Sequence, residues 1–195
     1  MVSLTHIEQA TYKKTFWLLP IESIVYAFEP LSQPFEHLQH HISLNQCSNI
    51  VAENLALGRE QGTAVMHIFE GKPDTHSSLF ANAEPGIAKE ETCKIIPLDE
   101  YVSNNNIRSV DFIKLDVEGA ELDVLVGGQN TLGRCKPLIV FEANARTLKA
   151  ANTTFTNLFS MFTTVGYDIW KLHGNAIQCI SSADALKFDG RRDSY

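Results

Sequence analysis

No glycine occurs before Gly58 in this chain of 195 residues. A turn whose backbone closely approaches a charged ligand normally needs glycine, so the first 57 residues carry no glycine-rich anion cradle. Cysteine is sparse as well. Cys47, Cys93, Cys135 and Cys179 lie more than forty residues apart, without a C-x-x-C pair, which excludes the usual zinc-cluster and redox spacings. The four are expected to be buried, reduced thiols of a cytoplasmic protein. Basic residues are outnumbered, 16 to 23, for a net charge of −7, which argues against a nucleic-acid backbone as the main partner. No apolar run approaches the ~18 residues of a membrane span. The N-terminal "MVSLTHIEQATYKK" lacks the basic region and apolar core of a secretory signal. There are no internal repeats.

What is present is an alternation of strand-like and helix-like segments in a 44% hydrophobic chain. The length suits one domain, expected over residues 1–188, with a polar, frayed tail over 189–195. "SIVYAFEP" (23–30) reads as a strand, after which Ser32 can cap a helix to about Leu44 with Pro34 in its first turn. "NIVAENLAL" (49–57) and "GTAVMHIFEG" (62–71) read as further strands. Lys72 to Lys94 reads as a long loop of the kind that often serves as a lid or binding segment. "KIIPLDEYVSNNN" gives a short strand and a helical turn. "VDFIKLDV" (110–117) is a strong strand and "GAELDVLVGGQNTL" a helix closing near Gly127-Gly128. "PLIVFEAN" (137–144) reads as a buried strand, "TTFTNLFSMFTTVG" (153–166) as a helix, and "YDIWKLHGNAIQCIS" as a hairpin turning at His173-Gly174-Asn175. Strands alternating with helices predict an α/β domain with a mostly parallel sheet and an antiparallel C-terminal hairpin. Ligands of such sheets lie beyond the carboxyl ends of the strands. This directs attention to Glu29, Asn54, Asp116 and Glu142.

Glu29 ends the run "IVYAFE". A carboxylate there can accept from both hydroxyls of a ribose, or can sit at the positive end of the following helix. In "DFIKLDVEGAELDVL" (111–125), extended pairing puts Phe112, Lys114, Asp116 and Glu118 on one face and Ile113, Leu115 and Val117 on the other. A lysine within a strand needs a partner or a shifted pKa. One reading is a structural Lys114–Asp116 or Lys114–Glu ion pair. The other puts Asp116 at the sheet edge as an acceptor of a substrate hydroxyl proton. Gly119 permits the sharp turn into a helix, whose first turn holds Glu121 and Asp123, favoured there by the helix dipole. His37, His40 and His41 share a helix face and are expected to be solvated. No metal site is expected. Trp17, Tyr167 and Trp170 are expected to be packing groups, with Trp170 the one to test for substrate contact.

"VYAFEP", "FIKLDVEGAELDVLVGG" and "PLIVFE", taken together, resemble the FkbM-like methyltransferases over about residues 24–145. "IKLDVEGAE" is the most specific of these motifs. The resemblance implies a Rossmann-like domain that uses S-adenosyl-L-methionine to methylate a hydroxyl of a sugar or other hydroxylated metabolite. It implies that Glu29, with Pro30, holds the cofactor ribose and that Asn54, Leu55 and Ala56 lie near the adenine. Asp116 would then sit beside the methyl-transfer centre as base or orienter, with Lys114, Glu118 and Glu142 as helpers. "SSL" (77–79) resembles a family feature lining the active site.

The chain departs from the family pattern at its start. The glycine-rich turn D-x-G-A-N-x-G is expected about 25 residues before Glu29, where this chain has "VSLTHIEQAT". "EQATYKKTFWLL" reads as the helix that follows that turn. The first strand is therefore expected to be missing, and a truncated, non-catalytic methyltransferase-like domain with a lost cofactor loop stands as the alternative to an active enzyme.

Overall fold

The computed structural model describes residues 23–69, 77–83, 86–173 and 176–189. The expectations that concern the glycine-free start, Trp17, the first helix and the tail beyond Asp189 fall outside them.

The β-branched and aromatic run after Ile24 forms β1 (Val25–Phe28), which pairs in parallel with β2 (Ile50–Glu53), Val25 opposite Ile50. Helix α1 (Ser32–Leu44) crosses between them. Ser32 does not cap it. Leu31 holds the cap position without a side-chain bond, and Ser32 is turned outward, its N–H and Oγ both donating to Glu91 Oε1 at 2.7 and 2.6 Å. These bonds, the Ser32 hydroxyl first, hold the Glu91 carboxyl below its ordinary range. Leu38 is the buried residue of α1, while His37, His40 and His41 are exposed.

The stretch 49–57 is two strands. Asn54-Leu55 breaks it, and β3 (Ala56–Gly58) leaves β2's ladder to pair in parallel with β5 (Ile87–Pro97). That eleven-residue strand takes up the last eight residues of the expected long loop, 87–94. Its polar spelling hid it. One side of an antiparallel hairpin can face water, and here Glu90, Thr92 and Lys94 are exposed while Cys93, on the other face, is buried. β5 runs antiparallel to β4 (Gly62–Phe69), with a bulge at Ile68/Phe69. Ser78 extends that hairpin by exchanging both backbone hydrogen bonds with His67.

Helix α2 (Leu98–Asn104) follows β5 directly. β6 (Phe112–Leu115) and β7 (Leu138–Phe141) form a third parallel pair. Between them the expected single helix is two. α3 (Glu121–Gly127) closes at the predicted glycines, and α4 (Gln129–Cys135) starts at once, its first N–H groups at Asn130 and Thr131 bonded by the Asp99 carboxylate at 3.0 and 2.7 Å. Helices α5 (Ala145–Ala150) and α6 (Phe155–Thr164) follow, capped by Asn144 and Thr154 side chains. The hairpin β8 (Trp170–His173) and β9 (Ala176–Cys179) leads into α7 (Ser182–Asp189).

The architecture is thus α/β. Among the described residues the strands form four small sheets rather than one continuous sheet, with three of the five strand pairings parallel and an antiparallel C-terminal hairpin. The core joins Ile113 and Leu115 of β6 to Val124 and Leu125 of α3, Tyr101 and Val102 of α2, and Leu158 and Phe162 of α6. β7 is not buried on both faces as its composition suggested: Leu138 is 67% exposed. Of the cysteines only Cys93 is buried and Cys179 is exposed; all four are free thiols. No helix among the described residues is long and apolar enough to cross a membrane.

Candidate active site

Three strand ends converge on one cleft. Its walls are Phe28 and Pro30 after β1, Leu55 and Ala56 after β2, Leu115 and Val117 of β6 and its exit, and Val124 of α3, with Ser77 and Lys114 as its polar members. The enclosed space is only about 50 Å³, against ~300–1,000 Å³ for small-molecule pockets. A nucleoside-sized ligand therefore has to lie across its open mouth or widen it. The Ser77 Oγ is buried there without a hydrogen-bond partner among the described residues. A buried hydroxyl left in that state is costly, and a ligand's polar atom would satisfy it.

The five expected cofactor-side residues divide by role. Pro30, Leu55 and Ala56 line the cleft. Glu29 is buried, 5% exposed, its backbone N–H donating to the Glu53 carbonyl and its Oε1 accepting the Leu31 N–H at 3.0 Å. It is therefore not a solvated acid beside the helix; it closes the turn into α1. Asn54 locks the same turn from β2's end, its Nδ2 donating to the carbonyls of Glu29 at 3.0 Å and Pro30 at 3.2 Å.

The acids at the end of β6 form a crowded edge. Lys114 Nζ and Asp116 Oδ2 are 3.0 Å apart with both side chains largely shielded, so the in-strand lysine has the ion-pair partner that its burial demands. Glu118 then adopts a left-handed backbone, φ +48°, which disfavours a residue with a long side chain. Three contacts hold it there. The Ser78 Oγ donates to the Glu118 carbonyl at 3.0 Å, Glu121 Oε1 accepts the Gly119 N–H at 3.2 Å, and Gly119 (φ +106°) lies so close to α5 that a Cβ would stand 2.8 Å from the Thr147 carbonyl oxygen.

Glu121 and Asp123 are not an equivalent pair of helix-start acids. Asp123 is a surface partner of Arg59, at 2.9 Å. Glu121 is 3% exposed, and its Oε2 has no hydrogen-bond partner among the described residues. Burial pushes its carboxyl up. Burial also raises Glu118, to about 7, helped by the charges of Asp116, Glu142 and Glu121 and opposed by Arg146. Glu142, exposed beyond β7, thus reaches the site through its charge. Glu121 is the site residue that sequence reasoning missed. Its place in a helix's first turn suggested only a favourable interaction with the helix dipole, and the packing of α3 under the β6 turn encloses it.

Ser77 and Ser78, the first two residues of "SSL", both face this region, one toward the cleft and one onto the Glu118 turn. Tyr167 is a packing group, its hydroxyl donating to the Pro137 carbonyl at 3.0 Å. Trp170 is not: it is 58% exposed and borders a separate apolar groove between β7 and the hairpin, which Glu142 also lines. No group of three or more His, Cys, Asp or Glu side chains among the described residues could hold a metal ion.

Comparison with known proteins adds three findings. The sequence profile of the methyltransferase FkbM domain matches residues 7–169. "Methyltransferase 1" of Beauveria bassiana (strain ARSEF 2860) is 29% identical over 123 residues, covering 54% of this chain and 49% of that protein, so the chain spans about half the length of this relative. The solved structure of methyltransferase FkbM from Methylobacillus flagellatus KT aligns with 73% of this chain and 30% of that one, at 18% identity and a TM-score of 0.47.

Proposed function

The chain belongs to the FkbM methyltransferase domain family, and from that premise we propose that it is an S-adenosyl-L-methionine-dependent O-methyltransferase acting on a hydroxyl of a sugar or other hydroxylated metabolite. One observation carries the reading: the apolar cleft at the ends of β1, β2 and β6, with an orphaned Ser77 hydroxyl inside it and the ion-paired Lys114 at its border. The chemistry of these residues fits the cofactor. Apolar walls suit a purine face, and the acids at the end of β6, Asp116 and Glu118, suit a sulfonium and an ammonium.

In this reading Pro30, Leu55 and Ala56 contact the base, and Glu29 and Asn54 set the shape of the ribose-side turn. When bound, the cofactor supplies a methyl group on a positively charged sulfur. The chain's own residues hold the acceptor oxygen in place, exclude water and take up its proton. Positioning alone can supply several kcal/mol, about 7–11 in the best-oriented systems. Asp116, neutralised by Lys114, orients; Glu118 and Glu142 complete the acid edge.

Titration of the protein with S-adenosylhomocysteine by isothermal calorimetry tests this. Micromolar binding is expected, weakened at least tenfold in Ala56→Trp, which fills the cleft. A folded sample that gives no heat overturns the reading.

A further inference from the structure

Asp116 is the residue that the sequence offers first as a proton acceptor, but the geometry assigns that part to another acid. We infer that Glu118 is the general base of the transfer, and that Ser78 is a positioning residue that holds it in place. The inference rests on the methyltransferase reading above and adds the identity of the proton acceptor.

Four observations converge. Asp116 Oδ2 is already engaged by the Lys114 ammonium at 3.0 Å. That oxygen is occupied by the ammonium and is not open to a substrate hydroxyl. Glu118, two residues on, is held in a left-handed conformation at φ +48°, which persists only where the surroundings impose it. The surroundings here are specific: the Ser78 hydroxyl on its carbonyl at 3.0 Å, and behind it Gly119 wedged against the Thr147 carbonyl and the Phe80 ring. Such a turn fixes where the Glu118 side chain leaves the backbone. Finally, Glu121, buried and with an unpartnered Oε2, faces Asp116 and Glu118 from α3. That oxygen is an unsatisfied polar atom in the same enclosure.

The groups that face Glu118 come from every element around it. Asp116 at the end of β6, Glu142 beyond β7 and Glu121 in α3 oppose its ionisation, and Arg146 in α5 favours it. A carboxyl in that field takes a proton near neutral pH and gives it back, which is what a base working near pH 7 requires. In the step, the acceptor hydroxyl gives its proton to a Glu118 carboxylate oxygen while its own oxygen pair closes the new O–CH₃ bond. The electron pair of the broken S–CH₃ bond stays on sulfur, and the proton passes from Glu118 to water afterwards. Ser77, one residue before Ser78, lines the cofactor cleft, so occupancy of the cleft and placement of the base share one short segment.

The first test needs no acceptor. In protein labelled with ¹³C at glutamate side-chain carboxyls, NMR titration should show one carboxyl titrating within about one unit of pH 7, absent in Glu118→Gln. It should move to lower pH in Glu142→Gln and to higher pH in Arg146→Met. Titration of Glu118 in the ordinary carboxylate range overturns the inference, whatever the acceptor is. The second test measures methyl transfer to a methyl glycoside. Glu118→Gln should lose about 10²–10⁴ in kcat while binding S-adenosylhomocysteine within twofold of wild type. Ser78→Ala should shift the acid limb of the kcat–pH profile as well as lower kcat, and Ser78→Thr should restore the profile. Wild-type rates in Glu118→Gln overturn the assignment and leave the methyltransferase reading intact; loss of cofactor-product binding in the wild-type protein overturns that reading instead.

Discussion

Lys114 Nζ lies 3.0 Å from Asp116 Oδ2, across a two-residue step at the end of β6, with both side chains more than four-fifths shielded from solvent. The two residues lie on one face of the extended chain, so the strand builds its own ion pair. That pair explains how a lysine is tolerated within a strand whose other face, Ile113 and Leu115, is part of the core.

Breaking the pair from one side strands the other charge. Asp116→Asn should destabilise the fold by roughly 2–4 kcal/mol, because an uncompensated, largely buried ammonium remains. The double variant Lys114→Met/Asp116→Asn should recover most of that loss. A double-mutant cycle by urea denaturation checks this. Additive effects would show that the pair carries no coupling.

The raised Glu118 carboxyl makes stability depend on pH with a definite sign. Its folded value, about 7, lies above its ordinary 4.5, so the folded state binds the proton more tightly than the unfolded one. The group has no cost below about pH 4.5, costs stability increasingly from there to about 7, and stays unfavourable above. Glu118→Gln should therefore raise Tm by about 2–5 °C at pH 8, allowing for partial solvent screening, and leave it unchanged at pH 4.5. Thermal scans at the two pH values decide it. An equal shift at both would remove titration as the cause.

Gly127 supports a contact that no side chain can share. A Cβ there would stand 2.0 Å from the Gly58 carbonyl oxygen and 3.3 Å from the Pro97 Cα, both backbone. Gly127→Ala should cost more than about 3 kcal/mol or prevent soluble expression, since neither strand can retreat without dismantling β3 and β5. Gly133→Ala, in α4 with nothing within 4 Å, should instead stabilise by about 0.5–1 kcal/mol. Chemical denaturation of the two variants makes the comparison. Similar effects at both sites would contradict the packing.

The sequence by itself determined the identity and order of most elements, and it did so through local rules. Alternating or continuous apolar runs marked β1, β4, β6 and β7, and a helical repeat ending at Gly166 marked α6. The partner of Lys114 followed from strand periodicity, since residues two apart share a face. The family followed from "IKLDVEGAE" and is carried by the match over residues 7–169.

Tertiary structure decided what lies between distant residues. That 49–57 divides between two ladders, with Asn54 bonding back to the carbonyls of Glu29 and Pro30, depends on where β5 lies. β5 was concealed because its exposed residues, Lys89, Glu90, Thr92 and Lys94, read as a loop. Gly127 was legible as a helix stop but not as a contact, because the Gly58 carbonyl that requires it is 69 residues away in sequence. The same holds at the site. Four acids in eight positions are visible in the sequence, but whether each is solvated, ion-paired or buried is a matter of what packs over it. Desolvation and through-space charge arise from elements joined only in the fold: α3 beneath the turn, Ser78 from the β4 side and Arg146 from α5. That is why Asp123 became a surface partner of Arg59, Glu121 a buried carboxyl, and Glu118 an acid that burial and its acidic neighbours push up to about 7.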